Sequence, residues 1–290
     1  MAEETTILGV DYSGALADKN TWATKGVLRG NVLTLEFCEP MPRAELTAEL
    51  ASLPADAVAA LDFPFSVPQV FAERWLPGAK TMPDLWQAAA AMDLPDFMHL
   101  RDEFVAQHGE PFRRGDGYFP ECYSCLHKAN PNMVPMTFRG MRMLNGLWQA
   151  GCRVPPLPDG GHPGPLLLES MPGAALRAFG LPFKGYKKGQ RAVELRRKIL
   201  DGLESRSGVK IPNLAWFDDR CIGNDDCLDS VVASVAACLW SLNHALFRLP
   251  QDGPGDPTTR GGTPHSDGNE LAAARLEGWL YAPVFLNGDH

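Results

Sequence analysis

Apolar and polar positions follow two different periods along the first sixty residues, and each period predicts a different kind of element. Leucines recur at helical spacing over 42–53, which predicts a helix. The run 57–62 is apolar up to its final aspartate, as expected of a central strand in a sheet that is covered on both faces. Arg29-Gly30-Asn31 supplies a hairpin turn. Strands are predicted at 7–12, 21–28, 32–37 and 57–62.

Residues 64–160 follow another pattern, in which prolines separate stretches of helical periodicity. No strand pattern competes with the helical one in this region. We therefore expect a mostly helical insertion, or cap, on the sheet at about 64–160. Within it, helices are predicted at 68–75, 83–92, 95–107 and 137–150.

After the insertion, the apolar run 166–169 predicts a return of the chain to the sheet. Apolar residues at spacings of three and four predict a long helix over 225–247. Residues 250–268 are rich in Gly, Pro and Thr and predict a loop, and a strand-like apolar run follows a short helix at 279–286. Two further helices are predicted, one that starts at Pro172 and one over 187–205.

These elements predict an α/β fold in which a mixed five-stranded sheet is flanked by helices, with residues 1–290 as one domain. Hydrophobic residues make up 45% of the chain and charged residues 21%, which supports a sizeable core without disulfides. The seven cysteines are scattered, and the N-terminus is acidic where a secretory leader is basic. Apolar runs stay shorter than the roughly 20 residues that span a bilayer. We expect a cytoplasmic protein that does not enter membranes.

Acidic residues stand where the apolar runs end. Asp11, Asp62 and Glu169 each close a predicted strand, while Asp226 and Asp229 lie in the first turns of the long helix. Burying carboxylates costs free energy unless a cation or hydrogen bonds compensate, so these positions suggest one shared cation site. Mg²⁺ and Mn²⁺ take oxygen ligands of this kind. Alternatively, the helix acids only suit the helix dipole, and Asp11 only starts a turn.

The net charge of −8 argues against a protein that coats nucleic acid generally, but it does not exclude an enzyme that acts on phosphodiesters. Positive charge is concentrated in the run 184–198, shortly after the third predicted acid. Lys187, Lys188 and Arg191 in this run are candidates for holding phosphate. The alternative is an ordinary solvated helix surface, since such surfaces commonly carry charge runs.

The insertion contains two further motifs. Arg139 and Arg142 lie beside aromatic residues, where arginine can bind phosphate and stack on a base, or can cover apolar surface with its stem. Cys122 and Cys125 form a CxxC pair with His127 nearby. A structural zinc site needs four ligands, and no second CxxC is present in the sequence. We therefore interpret these cysteines as two thiols in a loop.

Six short segments between residues 9 and 279 follow an order and spacing that resemble a known family. They read GVDYSG (9–14), DFPFSVP (62–68), ESMP (169–172), KKG (187–189) with Arg191, DCLDSVVAS (226–234) and EGW (277–279). By these segments, the chain resembles the domain of unknown function (DUF) family 429, predicted nucleases of the ribonuclease H-like superfamily. Ser230 stands where the family usually has alanine, and we expect it to allow close helix packing.

The resemblance implies a ribonuclease H-like fold and a two-metal carboxylate site for Mg²⁺ or Mn²⁺. The implied ligands are Asp11, Asp62, Glu169 and Asp229, with Asp226 as a further candidate. The expected function is a metal-dependent phosphodiester hydrolase that acts on nucleic acid or nucleotides. One alternative is a degenerate relative that binds nucleic acid or a protein partner. Another is an actin-like kinase, which needs glycine-rich phosphate loops that the segment after Asp62 lacks.

Overall fold

A mixed five-stranded sheet forms the centre of the fold, as the sequence pattern predicts. The computed structural model describes residues 4–16, 18–253 and 269–284. The strand order is β3-β2-β1-β4-β5. The first three strands form an antiparallel meander, whereas β4 and β5 run parallel to β1. The strands are β1 (Glu4–Asp11), β2 (Trp22–Arg29), β3 (Val32–Pro40), β4 (Val58–Asp62) and β5 (Leu166–Glu169).

Ten α-helices lie in the described part of the chain, and four of them, α2 to α5, occupy the predicted insertion between β4 and β5. None of the described helices has both the length and the apolar character that a membrane crossing requires. The helices are α1 (Arg43–Ser52), α2 (Gln69–Trp75), α3 (Met82–Ala90), α4 (Leu94–His108), α5 (Met133–Gln149), α6 (Pro172–Ala178), α7 (Ala192–Ser207), α8 (Asp218–Gly223), α9 (Asp225–Leu242) and α10 (Glu270–Glu277).

The two faces of the sheet are covered by different helices. Successive side chains of a strand point to opposite faces, so Ile7 packs on one side and Leu8 on the other. The Ile7 side is covered by α9, with α6 and α7 beside it. The Leu8 side is covered by α1 and by the insertion, through side chains such as Phe71 and Phe138. The insertion therefore supplies most of one layer of the molecule.

Several predicted boundaries differ from the structure. The helix predicted over 187–205 begins at Ala192, because Gly185 and Gly189 adopt positive φ angles of 77° and 104° that interrupt helical geometry. The helix predicted over 225–247 ends at Leu242 and is followed by a short 3₁₀ turn. The strand-like run 279–286 forms an isolated bridge at Pro283 within its described residues. Most of the loop predicted over 250–268 lies outside the described residues.

Candidate metal centre

Asp11 and Asp62 lie side by side at the carboxyl ends of β1 and β4. The parallel register pairs them directly. Because side chains alternate along a strand, Asp11 shares the face of Ile7, and Asp62 shares the face of Ala60. Both carboxyl groups therefore leave the sheet on the side that α9 covers.

The third carboxyl group comes from α9, which lies directly against β1. A Cβ atom on Gly9 would stand 2.2 Å from both the Ser230 carbonyl oxygen and the Ser234 amide nitrogen, so only a glycine permits this approach. The close packing brings the fully buried Asp229 to the strand ends. Carboxylate oxygens of Asp11, Asp62 and Asp229 lie within 4.8 Å of one another. We call these three residues the acidic centre.

Asp226 lies one helical turn before Asp229, at the edge of the acidic centre. It is half-buried, and its negative charge adds to burial in raising the pKa of Asp11. The N-terminus of α9 is fixed by Asn224, whose side chain accepts a hydrogen bond from the Cys227 amide at 3.0 Å. The same helix start therefore holds two carboxyl groups next to the strand ends.

Two residues of the segment before α7 contact Asp229. The Tyr186 hydroxyl donates a hydrogen bond to Oδ1 of Asp229 at 2.8 Å, and Nζ of Lys187 lies 2.6 Å from Oδ2. Tyr186 is buried, whereas the Lys187 side chain is 49% exposed. Sequence reasoning marked Lys187 but missed Tyr186, because only the folded loop shows which side chains turn inward.

The acidic centre is strongly unfavourable for ionised carboxylates. Burial raises the pKa of Asp62 to about 7, and it also raises the pKa values of Asp11 and Asp229. The positive charge of Lys187 opposes this effect at all three groups. With Asp226 included, Lys187 balances one of four negative charges when all four groups are ionised. A bound cation would relieve the remaining repulsion.

Glu169 does not join the acidic centre, although the sequence placed it among the ligands. The register pairs Glu169 with Leu61, one residue before Asp62, so the alternation of side chains directs it to the opposite face. There, Arg113 binds both of its carboxylate oxygens, and the Phe65 amide donates to Oε2 at 2.9 Å. The geometry therefore does not support the assignment of Glu169 as a metal ligand.

Arg113 joins Glu169 to two other segments in a buried ion network. Its guanidinium also binds both carboxylate oxygens of Asp116 and the carbonyl oxygen of Glu277. The Glu277 carboxylate accepts hydrogen bonds from two backbone amides of the insertion, Gln69 and Arg114. Burial raises the pKa of Glu277 to about 7. The network thus ties β5 and α10 to the insertion.

A cleft of about 520 Å³ opens at the acidic centre. Residues 120–136 of the insertion line one part of it, and residues 171–187 line another. Asp11, Asp62, Lys184 and Lys187 all face this space. The cleft therefore combines carboxylates with two lysines.

The other two basic residues predicted to hold phosphate lie elsewhere. Lys188 is exposed and is not among the residues that line the cleft. Arg191 pairs with Glu194 on the helix surface, with 3.0 Å between Nε and Oε2. Lys184, which was only part of the basic run, lines the cleft instead. Of the three basic residues predicted to hold phosphate, only Lys187 lines the cleft.

A second cavity, of about 460 Å³, contains the arginines of the insertion. Arg139 and Arg142 line it together with Tyr12, Arg43 and Phe138. We call this cavity the arginine groove. Tyr12 directly follows Asp11, and α5 contributes residues to both the cleft and the groove. The two cavities therefore lie close together along one helix.

The CxxC pair lies in the insertion, in the segment between the 3₁₀ turn at 115–118 and α5. Both thiols are buried, and burial raises their pKa values. In the described part of the chain, neither thiol belongs to a group of three metal-ligating side chains. This location agrees with the interpretation as two thiols in a loop.

Comparison of the chain with protein-family models gave no match, and searches of curated proteins and of solved structures gave no significant match.

Proposed function

We propose that this protein is a Mg²⁺- or Mn²⁺-dependent phosphodiester hydrolase, a nuclease of ribonuclease H-like architecture. The observation that carries the proposal is the convergence of Asp11, Asp62 and Asp229 within 4.8 Å, beside a cleft that Asp11 and Asp62 line together with two lysines. The strand order, with an antiparallel meander followed by two parallel strands, supports the architecture that the resemblance to DUF family 429 implies.

The residues of the acidic centre fit a hard divalent cation. All three offer carboxylate oxygens, the ligands that Mg²⁺ and Mn²⁺ prefer, and in this proposal Asp226 would add a fourth. Their burial makes ionisation costly, which a divalent cation would offset. Bound there, such a cation would act as a Lewis acid toward a phosphate oxygen and the attacking water.

The basic and hydroxyl groups around the acidic centre have separate roles in this proposal. Lys184 and Lys187 face the cleft and would bind phosphate oxygens of the substrate. Tyr186 holds the Asp229 carboxylate through Oδ1, which fixes its orientation. A buried hydrogen bond of this kind keeps a ligand oxygen in place without adding charge.

The arginine groove favours a polymeric substrate. Arg43, Arg139 and Arg142 line a cavity next to the strand end that carries Asp11. A nucleic-acid strand with one phosphate at the acidic centre would place neighbouring phosphates within reach of this groove.

A metal-independent binding protein is the second candidate, and one contact favours it. The ammonium group of Lys187 lies 2.6 Å from Asp229 and already compensates part of its charge. In this alternative, the cleft and the groove bind nucleic acid, and no bond is cleaved.

A cleavage assay separates the two candidates. The pure protein is incubated with Mn²⁺ and labelled single-stranded DNA, duplex DNA, RNA, RNA–DNA hybrid and branched DNA. We expect at least one substrate to be cut, and Asp11→Asn to lower the rate by more than about 100-fold, since it removes a ligand oxygen charge. Asp201→Asn, an exposed change on α7, is the matched control and should leave the rate unchanged.

Binding of these substrates without cleavage would favour the metal-independent alternative. Equal cleavage by the wild type and by Asp11→Asn would rule out the acidic centre as the active site. A lower rate of Asp11→Asn counts only if this variant is folded, which its circular dichroism spectrum checks.

A further inference from the structure

Three cysteines that are distant in sequence meet on the α9 side of the sheet. Cys38 lies on β3, Cys221 on α8 and Cys227 in the first turn of α9, and all three are fully buried. Their sulfur atoms lie within 4.8 Å of one another. The Cys38 and Cys227 sulfurs are 2.7 Å apart, and those of Cys221 and Cys227 are 3.6 Å apart. We call these residues the thiol cluster.

We propose that the thiol cluster binds one thiophilic divalent cation of the Zn²⁺ type. Thiolates are the soft ligands that select such cations over Mg²⁺ and Mn²⁺. Zn–S bonds of about 2.3 Å hold tetrahedral sulfur ligands about 3.8 Å apart. The Cys221–Cys227 distance is already close to this value, and the Cys38–Cys227 pair would open by about 1 Å.

The proposal rests on the three sulfur atoms alone. The nearby Ser230 hydroxyl, 3.7 Å from the Cys38 sulfur, already forms hydrogen bonds with the Thr24 hydroxyl at 2.7 Å and the Cys227 carbonyl oxygen at 2.8 Å. A second cysteine of α9, Cys238, is equally buried but does not belong to the cluster, so burial alone does not explain the convergence.

The surroundings favour the negative charge that three thiolates and one divalent cation would carry. Cys227 lies in the first turn of α9, where the helix dipole stabilises anions. The Arg220 guanidinium lies next to β3 and donates a hydrogen bond to the Cys38 carbonyl oxygen at 2.8 Å. Binding replaces up to three thiol protons, which pass to the solvent, and involves no change of oxidation state.

The cation would join β3, α8 and the start of α9. Cys227 stands between Asp226 and Asp229 in sequence, so the bound cation would fix the helix turn that supplies the acidic centre. The thiol cluster does not depend on the proposed nuclease activity, because its ligands and its cation class differ from those of the acidic centre.

Cadmium binding to the full-length, reduced protein tests the proposal. Cd²⁺ bound by thiolates gives a charge-transfer absorption in the ultraviolet, which carboxylate ligands do not give. We expect this absorption to saturate at one Cd²⁺ per chain and to disappear when Zn²⁺ is added in excess. Cys38→Ala and Cys221→Ala should each lower the affinity by at least about 100-fold, since each removes a ligand.

Two control variants locate the site. Cys238→Ala removes a buried thiol outside the cluster, and Asp229→Asn changes the acidic centre; both should retain the absorption and its stoichiometry. Because a ligand variant can fail to fold, proton release on Cd²⁺ addition is measured with the wild type as well. Absence of the absorption in the folded wild type would overturn the proposal, as would a Cys38–Cys227 disulfide found by mass spectrometry in protein purified with reductant.

Discussion

Buried carboxyl groups in this protein have two different kinds of surroundings. Asp229 faces a tyrosine hydroxyl and a lysine, and it lies next to two other acids that line a cleft. Glu277 is fully buried, and its carboxylate accepts hydrogen bonds from two backbone amides of the insertion. The first arrangement leaves negative charge for a cation, whereas the second satisfies the group within the protein. Both groups are buried, so it is their hydrogen-bond and ion-pair partners, and not their burial, that distinguish a candidate ligand from a structural carboxyl group.

The pH dependence of stability tests the surroundings of Glu277. Its folded-state pKa is raised from 4.5 to about 7, so the folded protein keeps a proton that the unfolded chain loses. Stability relative to Glu277→Gln should therefore fall as pH rises from about 4.5 to about 7, by up to about 3 kcal/mol, and then level off. Chemical unfolding of both proteins across this range measures the difference. A difference that grows with pH would show that Glu277 is held as a carboxylate.

The packing of α9 on β1 is the element-scale feature that builds the acidic centre. β1 and β4 present Asp11 and Asp62 in register, and the helix reaches them because Gly9 has no side chain. The cap at Asn224 then sets the rotation of the first helical turn. The position of Asp229 thus follows from one glycine and one cap.

Gly9→Ala tests the close contact. The added Cβ would stand 2.2 Å from helix backbone atoms, which must shift, and we expect a loss of about 3 kcal/mol or more in unfolding free energy. Gly146→Ala is the matched control, because a Cβ there meets nothing within 4 Å and alanine favours a helix by about 1 kcal/mol. Thermal and urea unfolding measure the stability of both variants. A stable Gly9→Ala protein would contradict the packing described for α9.

Asn224→Ala tests the cap. Loss of the hydrogen bond to the Cys227 amide should cost about 1 kcal/mol of stability and weaken Mn²⁺ binding, because the turn that holds Asp226 and Asp229 loosens. Asn269→Ala removes the equivalent cap of α10, where the side chain accepts from the Ala272 amide at 2.9 Å. It should cost similar stability and leave Mn²⁺ affinity unchanged. Equal Mn²⁺ affinity in the wild type and Asn224→Ala would show that the cap does not position the ligands.

Sequence patterns predicted the sheet because strands follow from local periodicity. They also predicted that Asp11 and Asp62 lie together, because the ends of parallel strands meet at one edge of a sheet. They grouped Glu169 with these acids although it lies on the other face of the sheet, since the three leucines before it in β5 give no alternation from which to read the faces of the strand. The convergence of Cys38 with Cys227 depends on how β3 and α9 pack, so the spacing of the cysteines in the sequence did not predict it. Gly185 and Gly189 in the basic run did indicate that its first residues lie outside a helix, because glycine disfavours helix interiors.

At the scale of the whole molecule, the insertion covers one face of the sheet and also forms part of the cleft. Arg113 fastens it to β5 through Glu169, while residues near Met133 reach the cleft. Further along α5, Arg139 and Arg142 enter the arginine groove. In the proposed function, the insertion therefore both completes the core and supplies the residues that would contact the substrate.

Arg142→Ala tests this link. If the groove holds a phosphate, this change should weaken nucleic-acid binding several-fold and reduce the slope of log affinity against log salt by about one. Arg197→Ala removes an exposed arginine of α7 that lies outside both cavities and should not change binding. Fluorescence anisotropy at several salt concentrations measures both effects. Equal salt slopes for the wild type and Arg142→Ala would exclude the groove from the binding surface.

The most direct test of the acidic centre is calorimetric titration of the protein with Mn²⁺, a hard cation that the thiol cluster does not select. The account predicts saturable binding to the wild type and to Asp201→Asn, and loss of that binding in Asp229→Asn, with folding confirmed by circular dichroism. Binding of Mn²⁺ to Asp229→Asn with the affinity of the wild type would contradict the account.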